Sequence, residues 1–291
     1  MIQMSSFPRP HDAPSTERIN AFLRATYNAA AEHFDDPPLS FWDHFGSRTV
    51  EVAGVRPGDK VLDVCCGIGA SALPAAERAL PAGRVLAVDL ADRLLDLGRA
   101  RARQRGLSNL EFAPGDLNRL DVAEASFDVV LCVFGLFFAP DLPPAAAGLW
   151  RAVRPGGSLV VTTWGRRLLE PANTMYWEAV EAERPDLRPG RPPQERIAEP
   201  ADLASLLVEI GAEEPQMLTE TWRQRVSPED FWVIVLGSGH RMAVDSMGPD
   251  AAARVRDAVL NRLVAEGVAE VVGDVTYGRA AKPMPEEAGR G

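Results

Sequence analysis

The stretch VLDVCCGIGAS, residues 61–71, sets two adjacent cysteines between a short apolar run and a Gly-x-Gly turn. Three chemistries fit it: a metal site, a redox pair, or a loop that holds a cofactor. A zinc site wants about four ligands at recognisable spacing. No CxxC, HxxxH or histidine-rich segment accompanies Cys65 and Cys66, the only other thiol is Cys132, and the histidines (His11, His33, His44, His240) are scattered. No metal is therefore expected. Adjacent cysteines are also badly placed for an ordinary disulfide. That leaves the cofactor loop.

The surroundings agree with a loop between strand and helix. Short Val/Leu-rich runs at Lys60–Val64, Arg84–Asp89, Leu110–Ala113, Asp128–Phe134 and Ser158–Trp164 read as strands. Helical patterns at about 71–80, 92–105 and 141–153 separate them. Such alternation predicts parallel βαβ units in a sheet covered on both faces. Pro74 is tolerated only in a first helical turn, so that helix starts near Ser71, with the Gly67–Gly69 turn against its N-terminus. Asp141 reads as a helix N-cap and RPGG (154–157) as a helix stop. Later, 200–211 reads as a helix and 215–226 as a strand. Ser227-Pro228-Glu229-Asp230 opens another helix as N-cap, N1 proline and acidic first turn. A helix at about 249–266 and a strand at 270–282 follow.

The expected fold class is α/β: a doubly wound, mostly parallel, seven-stranded sheet with an antiparallel edge hairpin, N-terminal helices and a helical lid insertion. The expected organisation is a flexible tail (1–15), an N-terminal helical lid (16–52), a cofactor-binding core (53–165), and sheet edge strands with helical substrate-lid insertions (166–291).

Composition narrows the function. The chain has 291 residues, 46% hydrophobic and 25% charged, with a net charge of −10. That is the make-up of a folded globular protein, and the acidic balance argues against a nucleic-acid surface. The basic run Arg99–Arg105 reads as a solvated helix face. The first fifteen residues lack the apolar region of a secretory signal. The longest apolar run, Val129–Ala139, is too short to span a bilayer. A cytoplasmic protein acting on a small molecule, without nucleic acid or membrane, is the expectation; the oligomeric state stays open.

Polar groups recur at strand ends. Asp63 closes the first strand and Asp89 the second, where a carboxylate in a nucleotide-binding unit accepts hydrogen bonds from both ribose hydroxyls. Gly115-Asp116-Leu117 follows the third. Open α/β sheets hold their ligands at this end of the strands.

The run Val61–Gly165 resembles the class I S-adenosylmethionine-dependent methyltransferases, in the small-molecule branch that includes ubiquinone/menaquinone-biosynthesis-like enzymes. The resemblance rests on VLDVCCGIG (61–69), VLAVDL (85–90), GDL (115–117), FDVVLCVFGLFF (127–138) and RAVRPGGSLVVTTW (151–164). It implies S-adenosylmethionine as cofactor and S-adenosylhomocysteine as product. It implies that Asp63, at the end of the first strand, belongs to the cofactor-binding set, and that the backbone of Cys65, Cys66, Gly67 and Gly69 surrounds the methionine part. Asp89 would hold the ribose, Asp116 the adenine amino group, and Leu90 and Leu117 the adenine faces. Cys132 would lie beside the methionine end, and Tyr27 and Trp42 would close the site from the N-terminal helices. The family usually has glycine where this chain has Cys65. A side chain there is acceptable with φ negative and the thiol facing the core, so both cysteines are expected to be packing residues of the loop.

Three other classes compete. Gly67-x-Gly69-x-x-Ala72 also satisfies a dinucleotide fingerprint, the mark of an NAD(P)-dependent oxidoreductase. The chain, however, has only Lys60 and Lys282, so a Tyr-x-x-x-Lys pair is absent. DPPL (36–39) is similar to the motif of amino-methylating nucleic-acid enzymes, but Leu39 offers no aromatic face for a flipped base. A catalytically silent metabolite binder is the third class. Methyl transfer from a sulfonium is an in-line displacement that needs alignment and exclusion of water; an oxygen acceptor also profits from a general base. His240 and then His44 are the candidates for that role. Tyr176, Trp177, Trp222, Phe231, Trp232, Met242 and Met247 would wall a pocket for an apolar or aromatic metabolite, under a lid from 166–200 and 227–267. The abundance of Ala, Arg and Pro suggests a GC-rich bacterial genome and specialised metabolism.

Overall fold

The computed structural model describes residues 15–188, 190 and 192–284. The tail expected over 1–15 lies outside these residues except for Ser15, and so does His11. Helices α1 (Thr16–Ala30) and α2 (Phe41–Ala53) precede the first strand, β1 (Lys60–Val64). Then follow α3 (Ala72–Ala79), β2 (Arg84–Asp89), α4 (Asp92–Gln104), β3 (Leu110–Pro114), β4 (Phe127–Val133), α5 (Leu142–Ala152) and β5 (Val153–Trp164). The remainder holds α6 (Ala172–Glu183), α7 (Pro200–Glu209), β6 (Gln216–Arg225), α8 (Pro228–Leu236), α9 (Arg241–Met247), α10 (Pro249–Ala265) and β7 (Glu270–Ala281).

These strands form one seven-stranded sheet in the order β3-β2-β1-β4-β5-β7-β6. The first five run parallel, and β7 pairs antiparallel with both β5 and β6. Strand order reverses between β1 and β4, so the chain leaves these two strands in opposite directions and opens a crevice above their carboxyl ends. Alternate residues explain the two layers. Val61, Val85, Ala87 and Leu131 pack with Leu73 and the alanines of α3 and with Leu95 of α4. Leu62, Val130, Leu159 and Val161 pack on the other face with Leu149 and Trp150 of α5 and Leu203 and Leu207 of α7. β6 lies at the edge and alternates exposed with half-buried residues.

Local expectations hold where side chains decide them. α3 begins at Ala72, so Pro74 lies in its first turn. Ser227 and Asp230 form a reciprocal capping box on α8. Two expectations are corrected. Asp141 occupies the N-cap of α5 but makes no side-chain capping bond there. RPGG does not stop α5, which ends at Ala152 and passes directly into β5. Instead the motif loosens the strand: pairing with β4 jumps from Phe127↔Val153 to Val129↔Ser158. Gly156 supplies the turn at φ 75°, and a Cβ on Gly157 would lie 2.6 Å from the Asp128 carbonyl oxygen.

Candidate active site

An open cavity of about 970 Å³ lies above the carboxyl ends of β1, β2, β3 and β4. The loop after β1 forms its floor. Gly67 (φ 53°) and Gly69 (φ 86°) use the left-handed region that glycine adopts freely. A Cβ on Gly69 would meet the Phe112 ring at 2.8 Å. Gly69 therefore shapes the loop from behind and does not line the cavity.

Cys65 does not follow the expectation. Its φ is +61°, where a side chain costs roughly 1–2 kcal/mol; the residue lines the cavity and also packs against the core, with its thiol beside the buried Cys132. The turn still needs the left-handed conformation that glycine would give. Room for the side chain comes from the turn after β4: a Cβ on Gly135 would fall 2.4 Å from the Cys65 Cβ. A hydrogen bond with Cys132 and then burial push the Cys65 thiol up, and burial does the same to Cys66. Both are thiols at neutral pH. Cys66 is buried, as expected of a packing residue, and Cys132 is fully buried under Cys65 without lining the cavity.

The carboxylates divide the work. Asp63 is fully buried beneath the loop, where Ser71 Oγ donates to it at 2.7 Å. Burial pushes its carboxyl up to about 7, against the Ser71 bond. It is a support for the start of α3 and does not reach the cavity. Asp89 does line the cavity. Its two oxygens accept from the Gly67 and Ala91 backbone N–H groups, each at 2.9 Å. Burial raises its pKa and these bonds oppose the rise. Asp116 accepts from Asn20 Nδ2 at 2.7 Å and from the Asn118 N–H at 2.8 Å. Asn20 belongs to α1, so the N-terminal helix is tied across the cavity to the end of β3.

Leu90 and Leu117 complete this wall. Tyr27 of α1 and Trp42 of α2 also line it, with Phe134 and Phe138. Burial, and next the Asp89 charge, push the Tyr27 phenol up. Phe134 follows β4 at φ 52° and stacks on Trp164 at 4.4 Å between centroids.

A second cavity of about 750 Å³ adjoins the first. Tyr27, Trp42, Phe134 and Phe138 line both, so one aromatic partition serves two chambers. The outer side is closed by Leu168, Leu169, Trp177, Met242 and the 192–194 segment. Arg196 clamps that segment by donating to the Phe137, Ala139 and Pro140 carbonyl oxygens. Among the aromatic and Met residues expected at this wall, Trp177 and Met242 line it. Tyr176, Phe231 and Met247 are buried core, and Trp222 and Trp232 are half-buried against that core.

The histidines separate. His240 lines the second cavity, 8% exposed, between Ser238 Oγ at Nδ1 (2.9 Å) and Asn173 Oδ1 at Nε2 (2.8 Å). Burial lowers its pKa to about 4, so the ring is neutral. His44 lines neither cavity. It lies on the exposed side of α2, 2.8 Å from Glu220, and this removes it from the candidates for proton transfer. Sequence reasoning missed Asn20, Asn118 and Ser238, which belong to no motif, and gave no role to Phe134 and Phe138, which lie within the 127–138 motif. Among the described residues, no cluster of three or more His, Cys, Asp or Glu side chains is arranged to hold a metal, and no helix is long and apolar enough to cross a membrane.

The ubiE/COQ5 methyltransferase family matches residues 37–181, which run from the turn before α2 into α6. The chain belongs to the class I S-adenosylmethionine-dependent methyltransferases, in their ubiE-like branch. An uncharacterized protein of Mycobacterium tuberculosis is 40% identical over 119 residues, 41% of this chain and 42% of that one. The match thus spans less than half the length of that relative. The ubiquinone/menaquinone biosynthesis C-methyltransferase UbiE of Pseudomonas putida is 29% identical over 178 residues, 59% of this chain and 67% of UbiE. Among solved structures, the YcgJ protein of Bacillus subtilis covers 82% of this chain and 99% of its own, with a TM-score of 0.55 at 15% identity. That likeness concerns the fold. The dinucleotide fingerprint in the first loop is accounted for by the same glycine turn in a methyltransferase.

Proposed function

We propose that this protein transfers a methyl group from S-adenosylmethionine to a nucleophilic atom of a small apolar or aromatic metabolite. The observation that carries the reading is the pair of chambers divided by one aromatic partition, the first with acidic groups at its strand ends, the second lined mostly by aromatic and aliphatic side chains with Gln194, Ser238 and His240 among them. The bound cofactor would supply an activated methyl group. The residues present fit it. Asp89 offers carboxylate oxygens to the ribose hydroxyls, and Asp116 with Asn118 offers acceptors to the adenine amino group. Leu90 and Leu117 offer apolar faces to the base, and the Cys65–Gly67 backbone meets the methionine end. In the second chamber Trp177, Phe137 and Met242 hold the acceptor and exclude water, which raises the effective concentration of the reacting pair. His240 is a proton acceptor at the wall of that chamber.

A thermal-shift series with S-adenosylmethionine, S-adenosylhomocysteine, NAD and NADP tests the first half. A ligand at 100-fold over its Kd adds about 2.7 kcal/mol, which moves the midpoint of a chain this size by several degrees. The sulfur compounds are expected to raise it and the dinucleotides are not. Stabilisation by a dinucleotide alone would overturn the proposal.

A further inference from the structure

The second cavity has one polar corner, and the hydrogen bonds there have a forced direction. The Glu170 carboxylate only accepts, and Asn173 Nδ2 donates to its Oε1 at 3.2 Å. The amide oxygen of Asn173 therefore faces His240 Nε2 at 2.8 Å, so Nε2 carries the ring proton. The neutral ring then has a bare Nδ1, and Ser238 Oγ, 2.9 Å away, donates to it. Tyr176 O–H donates to the His240 carbonyl oxygen at 2.9 Å and fixes the backbone. Tyr176 and Trp177 flank the imidazole at 5.2 and 5.9 Å. Ser238 and His240 line the cavity, whereas Asn173 and Glu170 stand behind them. Ser238 Oγ accepts one long bond, from the His240 N–H at 3.4 Å, and keeps a lone pair for a donor in the cavity.

We propose that Ser238 and His240 are a two-step proton acceptor for a hydroxyl group, so that the methyl acceptor is a neutral, apolar alcohol or phenol. This rests on the methyl-transfer reading above. The acceptor oxygen forms the new O–C bond while the C–S bond of the sulfonium breaks and its electron pair stays on sulfur. The hydroxyl proton passes to Ser238 Oγ as the proton of Ser238 passes to His240 Nδ1. The positive charge that began on sulfur ends on the imidazolium, with Glu170 behind Asn173 as the nearest carboxylate in the chain of hydrogen bonds. A weak base is enough, because a hydroxyl oxygen that has gained a carbon is far more acidic than before. An amine acceptor, or a carbon made nucleophilic elsewhere, has no need of this arrangement.

The test uses full-length protein saturated with S-adenosylhomocysteine and follows binding of 2-naphthol and 2-methoxynaphthalene by fluorescence. The two probes differ in whether they can donate to Ser238. Wild-type protein is expected to bind 2-naphthol on the order of 10-fold more tightly, the worth of one net hydrogen bond. Ser238→Ala is expected to reduce that preference to about 2-fold or less. Equal affinities in the wild type, an undiminished preference in the variant, or no binding of either probe overturns the hydroxyl assignment. Failure of S-adenosylhomocysteine to bind strikes the methyl-transfer reading itself, so the two failures are distinct. Nitrogen NMR of histidine-labelled protein reads the tautomer, with the His240 signal assigned by its loss in His240→Gln. A ring protonated on Nε2 is expected, and one protonated on Nδ1 overturns the relay.

Discussion

Asp89→Asn separates the two tasks that one carboxylate performs. In the wild type each oxygen accepts from a backbone N–H, Gly67 on one side and Ala91 on the other. Asparagine has one acceptor oxygen and an NH₂ group, so whichever way it turns, a donor faces a donor. One charge-assisted bond is lost, worth about 1.5–3 kcal/mol. The variant also escapes the cost of burying a charge, the cost that raises the Asp89 pKa. These terms oppose, and we expect a net stability loss of only about 1 kcal/mol. Ligand binding has no such compensation. Two ribose hydroxyls would lose an ionised acceptor, and the loop holding the methionine end would lose its anchor at Gly67 or Ala91. A loss of about 2–3 kcal/mol corresponds to roughly 30- to 150-fold in Kd. Isothermal titration of S-adenosylhomocysteine into wild type and variant at pH 7.5 measures this, with circular dichroism to confirm folding. A folded variant whose Kd lies within about 3-fold of wild type would refute the assignment of Asp89 to the ribose.

His240→Gln should remove an acid-labile part of the stability. The buried ring titrates near 4 against about 6.5 in the unfolded chain, so its contribution is complete above 6.5 and falls by about 3 kcal/mol as pH drops toward 4. Asp63, raised to about 7, acts in the opposite sense and strengthens the fold as pH falls from 7 toward 3.8. The informative quantity is therefore the difference between wild type and variant, taken from urea midpoints at pH 7.5 and 4.5; parallel losses in both proteins would contradict it. At Cys65, glycine should be more stable than alanine by about 0.5–1 kcal/mol, because relief at φ 61° exceeds the entropy glycine adds to the unfolded chain. Denaturant melts of Cys65→Gly and Cys65→Ala decide it, and an alanine variant equal or superior to glycine would count against the strain. Ser227→Ala breaks the capping box of α8 and should cost about 1 kcal/mol while leaving S-adenosylhomocysteine affinity unchanged. A shift in that affinity would mean that α8 is coupled to the first cavity.

The sequence disclosed whatever is local and repetitive. β1 and β2 were legible to the residue because a strand buried on both faces is an apolar run with sharp ends. Asp89, Asp116 and the glycine turn were legible because the sheet collects its strand ends on one side. What stayed hidden depends on partners far along the chain. Cys65 tolerates a positive φ because Gly135, 70 residues later, leaves space for its side chain. RPGG has the composition of a helix stop, yet it lies inside β5 as the irregularity between the Val153 and Ser158 pairings with β4, held by backbone hydrogen bonds of Gly156 and Gly157 with Lys282. The same distance effect sets His44 apart from His240. Each lies on or beside a helix, and only the packing of α6 against the loop after α8 makes one a cavity residue and leaves the other against Glu220 at the surface.

The shared partition has a consequence for how such a protein changes its acceptor. Tyr27, Trp42, Phe134 and Phe138 face both chambers, so a substitution at any of them alters both sides at once. Leu168, Trp177, Gln194 and Met242 face the second chamber alone. Diversification toward new acceptors, in nature or in a library, therefore has an open route through these four positions and a closed one through the partition. All four lie after β5, on the segments that surround the sheet's antiparallel edge. On the proposed reading the acceptor chamber can vary at these four positions, while Phe41, Phe137 and Trp164, which also line it, stay with the helix, turn and strand that carry the sheet.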